Sequence, residues 1–183
     1  MGLNMYLSKK NYVKNWEHTK PEEKHTVLVL KNDLPVKGID SEKIKYVEEE
    51  VAYWRKANQI HNWFVENVQN GTDDCGEYCV DKEQLQELVA TCKKVLEASK
   101  LIDGKIVNGQ SIKDGEWVNN LEDGQIIEDS TVAEELLPTV GGFFFGGTNY
   151  DKWYLNDLQD TIDMLEPYLS EDVQGDFYYS SSW

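Results

Sequence analysis

This sequence predicts an α+β domain: a small mixed sheet packed with about three helices. Three observations predict it. Apolar residues recur with period two in some segments and with the 3.6 period in others. The two kinds of segment are interspersed, without the regular strand–helix–strand rhythm that a parallel sheet needs. A length of 183 residues, 40% of them hydrophobic, suits one domain over residues 1–183.

The elements follow in order. Residues 1–7 set Met1, Leu3, Met5 and Leu7 against Gly2, Asn4 and Tyr6, the period of a half-buried strand. A polar stretch broken by Pro21 comes next. The β-branched apolar run TVLVL at 26–30 predicts a buried strand, and Asn32, Asp33 and Pro35 turn the chain. Residues 44–53 mix β-branched and aromatic side chains with acids and predict a strand, although Glu48, Glu49 and Glu50 also suit the start of a long helix. Residues 55–69 predict a helix with Ala57, Ile60, Phe64 and Val68 on one face and Trp63 at its margin, stopped by Asn70 and Gly71.

Residues 73–80 read as a short irregular or strand segment. Asp81 then opens the clearest helix. Asp81 and Gln84 have capping-box spacing, and Leu85, Leu88, Val89, Cys92, Val95 and Leu96 form one apolar stripe. Residues 104–124, rich in Gly, Asn and Asp, fit hairpins or loops. Residues 132–137 predict one or two helical turns ended by Pro138. The Phe run at 143–145, between glycine pairs, predicts a short buried strand. Thr148 or Asn149 caps a final helix that buries Leu155, Leu158, Ile162, Leu165 and Leu169 and is kinked or ended by Pro167. The tail, 171–183, predicts an edge strand or a mobile segment.

The formal net charge is −16. Direct nucleic-acid binding is not expected, because a phosphate-binding surface needs clustered Lys and Arg, and anionic membranes are disfavoured too. A basic partner is favoured by long-range steering. Three cysteines, an odd number, point to a reducing compartment, hence the cytoplasm. No basic-then-apolar leader is visible and no apolar run reaches membrane-spanning length.

Four constellations bear on chemistry. Arg55, Asn58, His61 and Asn62 would give one helix an imidazole, two amides and a guanidinium, a set suited to an anionic ligand, with Trp54 and Tyr150 as walls. The bland alternative is that these groups tie down neighbouring loops. Asp73, Asp74, Cys75, Glu77 and Cys79 lack the paired spacing of a zinc site, and no metal or other cofactor is expected. GGFFFGGTNY at 141–150 lacks the lysine of a phosphate loop. Acidic residues, Asp157, Asp160 and Asp163 on the last helix and Glu134 and Glu135 before it, would form a partner-binding face that imitates a nucleic-acid backbone. No GxSxG, HExxH, SxxK or kinase signature is present, so no catalytic residue is assigned.

The blocks MGLNMYL, EVAYWRKANQIHNWFVENVQNGTDDCGEY and FFFGGTNYDKWYLNDLQDTIDMLE resemble a family of small, mostly uncharacterised proteins carried by phages and prophages. In size and acidity the chain is also similar to phage-derived anti-CRISPR proteins that block type II RNA-guided nucleases. That resemblance implies a non-enzymatic inhibitor in the cytoplasm of an infected or lysogenic bacterium, acting on a basic nucleic-acid-binding defence protein. The alternative is a small-ligand or nucleotide-binding protein, an enzyme included, with its site on residues 55–69.

Overall fold

The computed structural model describes residues 2–113, 115–142 and 144–183. Met1 and Phe143, both assigned to strands above, lie outside them. In chain order the strands are β1 (Asn4–Tyr12), β2 (Leu30–Lys31), β3 (Leu34–Pro35), β4 (Tyr46–Arg55), β5 (Glu77–Val80), β6 (Leu101–Lys113), β7 (Glu116–Ile127) and β8 (Asp176–Ser182). The helices are α1 (Asn58–Asn67), α2 (Lys82–Ala98), α3 (Thr131–Leu136) and α4 (Lys152–Leu165). The class is α+β, as the mixed periodicities predict.

A four-stranded sheet in the order β4–β1–β8–β5, antiparallel at every pairing, carries one core. The period-two signal acts directly: Leu3, Met5 and Leu7 are fully buried while Tyr6 between them is exposed. Met5 faces Trp54 and Ser181 across the ladder, and Leu7 faces Ala52 and Tyr179. Against that face pack the stripes of α1 (Ile60, Phe64), α2 (Leu85, Leu88, Cys92, Val95) and α4 (Leu158, Ile162, Leu165). Each large apolar side chain so buried contributes about 1.5–3 kcal/mol. Trp54 joins β4 to α4 by donating from Nε1 to Thr161 Oγ1 at 2.8 Å, and the Tyr179 ring stacks on Phe64 at 3.9 Å.

Several local expectations hold. Of residues 44–53, those from Tyr46 on belong to a strand, not a helix. Asn70 and Gly71, with φ of 53° and 75°, lie in the turn just beyond α1, which ends at Asn67, two residues before the expected end. Asp81 and Gln84 form the capping box. Pro167 lies just beyond the end of α4, within a 3₁₀ turn.

Four expectations are corrected. TVLVL is not buried: only Leu30 joins a strand, in the small β2–β3 hairpin, and Leu28 is 71% exposed because no second layer covers that hairpin. The tail forms an inner strand rather than an edge, since β8 lies between β1 and β5. No strand forms at 144–145: Phe144 takes φ 69° and is exposed, while the Phe145 N–H turns back to Gly142 O. Finally, α4 is capped by Asp151, whose Oδ1 accepts from the N–H groups of Trp153 and Tyr154 at 2.8 and 3.2 Å. Thr148 and Asn149 stay outside the helix because Tyr150 and Asp151 pair with the end of β7: Ile127 N–H donates to Tyr150 O, and Ile126 bridges Asp151.

The segment read as hairpins or loops is one long β6–β7 arm. At its waist Gly104 faces Gly124, and a Cβ on either would meet an isoleucine side chain of the opposite strand at 2.7–2.8 Å. No helix among the described residues is long and apolar enough to cross a membrane.

Candidate functional site

Helices cover only one face of the sheet. The strand register assigns the other face: Asn4, Tyr6, Ser8 and Lys10 from β1; Glu48, Glu50, Tyr53 and Arg55 from β4; Tyr178 and Ser180 from β8; Glu77 from β5. A bulge at Leu7/Ser8 makes Val51 the extra residue, which keeps Glu50 and Glu48 opposite Ser8 and Lys10. A concavity of about 340 Å³ on this face is lined by Tyr6, Ser8, Glu48, Glu50, Glu77 and Ser180. Over the β4 edge a second, of about 430 Å³, is lined by Tyr53, Trp54, Arg55, Asp157, Asp160, Asp163 and Met164. The rings of Tyr6 and Tyr53, 5.3 Å apart, join the two. The two concavities, taken together as an acidic groove, bear six carboxylates: Glu48, Glu50 and Glu77 in the first, Asp157, Asp160 and Asp163 in the second. Arg55 lines the second concavity, and Lys10, beside the first on the same sheet face, is bound to Glu77 at 2.8 Å.

A third concavity, of about 320 Å³, adjoins the groove through Arg55 and Asp157. It lies where distant segments converge: Arg55 and Lys56 from the β4–α1 turn, Gln59 from α1, Val107 from β6, Thr139, the glycine loop at 146–147, and Asp151, Trp153, Tyr154 and Asp157 around the start of α4. Lys56 adopts φ 64°, strained for a side chain of its size. The loop reaches that turn only because residue 146 is glycine: at φ 97°, an added Cβ would meet Lys56 Cβ and O at 3.0 Å.

Asp157 is the most perturbed carboxyl of the cleft. Burial pushes it up to about 6; a hydrogen bond from Gln59 Nε2, at 3.0 Å, opposes the rise, and the charges of Asp160 and Asp151 add to it. Such an acid holds its proton more tightly in the folded chain than in the unfolded one. Stability therefore falls as pH rises from about 4 to 6, by at most about 3 kcal/mol, and the loss persists above that window. Asp157→Asn is expected to flatten this decline in urea denaturation series at pH 4 to 7. An unchanged pH profile would refute the assignment.

The four residues proposed for one ligand pocket do not share one. Arg55 is the end of β4, not part of the helix, and only it lines the cleft. Asn58 is buried beneath the 140–147 loop: its Nδ2 donates to Phe145 O and Gly147 O at 3.3 and 2.8 Å, and its Oδ1 accepts from Val140 N–H at 2.9 Å. His61 is buried in the core between Tyr179 Oη (2.8 Å) and Asp73 Oδ2 (3.1 Å). A carboxylate only accepts, so Nε2 carries the proton and Nδ1 accepts from the tyrosine hydroxyl. Asn62 lines a separate small concavity with Trp63, Glu66 and Leu136. Of the proposed walls, Trp54 lines the groove, while Tyr150 Oη accepts from Thr139 N–H at 3.2 Å.

The acidic set divides as well. Asp157, Asp160 and Asp163 line the groove together, whereas Glu134 and Glu135 are exposed on α3 and take no part in it. Sequence reading missed Glu48, Glu50, Tyr6 and Tyr53 in the groove, and Lys56, Gln59 and Asp151 in the cleft. For Glu48 and Glu50 a signal existed in their period-two spacing on a strand; for the cleft residues none did, since loop closure assembles them. Cys75 and Cys79 are exposed, and Cys92 is buried, its thiol pushed up to about 12 by that burial. Among the described residues no group of three or more His, Cys, Asp or Glu is placed to hold a metal ion.

Comparison with known proteins finds no match to this chain among family models, curated proteins or solved structures.

Proposed function

We propose that the protein is a non-enzymatic inhibitor that presents its acidic groove to the cationic nucleic-acid channel of a host defence protein. The observation that carries this reading is the adjacency of two acidic concavities, one on the sheet face away from the helices with Glu48, Glu50 and Glu77, the other over the β4 edge with Asp157, Asp160 and Asp163, bridged by the Tyr6–Tyr53 pair. Carboxylates held on a sheet and a helix substitute for phosphates, and tyrosine faces accept guanidinium groups. The net charge of −16 adds long-range attraction to a basic partner. The target, a guide-loaded type II CRISPR nuclease in the bacterial cytoplasm, comes from the similarity of the chain in size and acidity to phage-derived anti-CRISPR proteins.

The test is binding to that guide-loaded nuclease by surface plasmon resonance at 50–500 mM salt, beside DNA cleavage assays. The expected result is affinity that falls steeply with salt, and protection of target DNA. The quadruple variant Glu48→Lys, Glu50→Lys, Asp160→Lys and Asp163→Lys is expected to bind at least about 100-fold more weakly with its fold retained, since these side chains are exposed. Unchanged binding by that variant, or no binding by the native protein at 50 mM salt, would sink the proposal.

A further inference from the structure

We infer that the cleft between the β4–α1 turn and the start of α4 binds a small zwitterion, an α-amino acid with an apolar or aromatic side chain. This site adjoins the proposed protein-binding groove and shares Arg55 and Asp157 with it, but its ligand is argued independently of that reading.

The argument starts from charge. Arg55 and Lys56 both line the cleft, and neither has an ion-pair partner among the described residues. Asp157 lines it too; its carboxylate has one hydrogen bond, from the neutral amide of Gln59, and no cation within salt-bridge distance among those residues. Unmatched charges of both signs therefore share one concavity without pairing with each other. A ligand bearing only an anion satisfies the Arg55–Lys56 side and leaves Asp157 disfavoured. A ligand bearing only a cation does the reverse, and meets the repulsion of Arg55 and Lys56. A molecule with a carboxylate and an ammonium one carbon apart complements both at once.

Shape and wall chemistry narrow the class. A volume of about 320 Å³ sits at the small end of ligand pockets and suits a single amino acid rather than a nucleotide. Trp153, 66% exposed, and Val107 supply an apolar wall for a side chain. The glycine loop at 146–147 brings backbone into the cleft where no side chain intrudes. The rise of the Asp157 carboxyl towards 6 has the same meaning, because burial near other carboxylates leaves its charge wanting a cation. Asp151 does not fill that need, since it is an acid and its Oδ1 is engaged in capping α4.

The experiment is isothermal titration calorimetry with thermal-shift measurement on the full chain at pH 7.5. The probes are L-phenylalanine, L-leucine and L-tryptophan, with phenethylamine and N-acetyl-L-phenylalanine as single-charge controls, each to 10 mM. At least one amino acid is expected to bind and raise Tm, with both controls at least tenfold weaker. Asp157→Asn and Arg55→Ala are each expected to weaken that binding at least tenfold without lowering the Tm of the unliganded protein by more than a few degrees. Affinity should also fall on going from pH 7.5 to pH 5, as Asp157 takes up its proton. The charge-reversed groove variant keeps every cleft residue and should bind the amino acid as the native chain does. Absence of heat and of any Tm rise with all three amino acids, equal binding of a single-charge control, or undiminished binding by both variants would overturn the inference.

Discussion

Tyr179→Ala is expected to lower folding stability by about 3–5 kcal/mol, the range for truncating a large buried aromatic. The ring is fully buried, stacked on Phe64 at 3.9 Å, in a strand with partners on both sides. Its removal leaves a cavity between α1 and the sheet. It also takes away the hydroxyl that donates to His61 Nδ1, so a buried ring nitrogen loses its partner. Tyr179→Phe separates the two effects: it keeps the stack, loses the hydroxyl, and should cost about 1–2 kcal/mol. Urea denaturation monitored by fluorescence and circular dichroism measures both. A loss below 1 kcal/mol for the alanine variant would show that the stack does not hold the core.

Asn58→Ala should cost about 3 kcal/mol. One side chain closes three hydrogen bonds to the 140–147 segment: to Phe145 O and Gly147 O as donor, and from Val140 N–H as acceptor. Each net bond is worth about 1 kcal/mol, and orphaning a buried backbone group costs about 1–3 kcal/mol where water does not replace the partner. Because that loop is half-exposed, the lower end applies to each group and the sum stays near the stated value. The second readout is local: amide hydrogen exchange of residues 140–147 should accelerate well beyond the global change. Exchange that rises equally everywhere would mean that Asn58 stabilises the helix and not the loop. The amino-acid cleft should suffer too, since the same loop forms its far wall.

The legibility of the chain follows the range of its interactions. Where a segment's own pattern decides its structure, the reading succeeds: the alternation of Leu3, Met5 and Leu7, the capping box of Asp81 and Gln84, and the stripe of α2 all depend on neighbours within a few residues. It fails where distant segments compete. TVLVL has the composition of a buried strand, but burial needs a second layer and none reaches it. The start of α4 shifts to Asp151 because β7 claims Tyr150 and Asp151 first. The polar set of Arg55, Asn58, His61 and Asn62 needs partners. Those partners lie as far off as Tyr179 and Phe145, so sequence alone left open whether they were a ligand or the fold. Within the groove, Asp157, Asp160 and Asp163 were legible from helical spacing. Their meeting with Glu48, Glu50 and Glu77 was not, because it depends on which sheet face the helices leave bare.

The inner position of β8 has a consequence for how the molecule is made. Along the growing chain, β1 finds β4 early, and β5 has no companion strand until residues 176–182 leave the ribosome tunnel. All three long helices are translated before the floor they rest on is complete. Their greasy faces must wait, shielded by one another or by a chaperone, for an insertion that brings residues 176–182 back against residues 4–10. Assembly should thus be a late, slow and concerted closure rather than a sequential build-up.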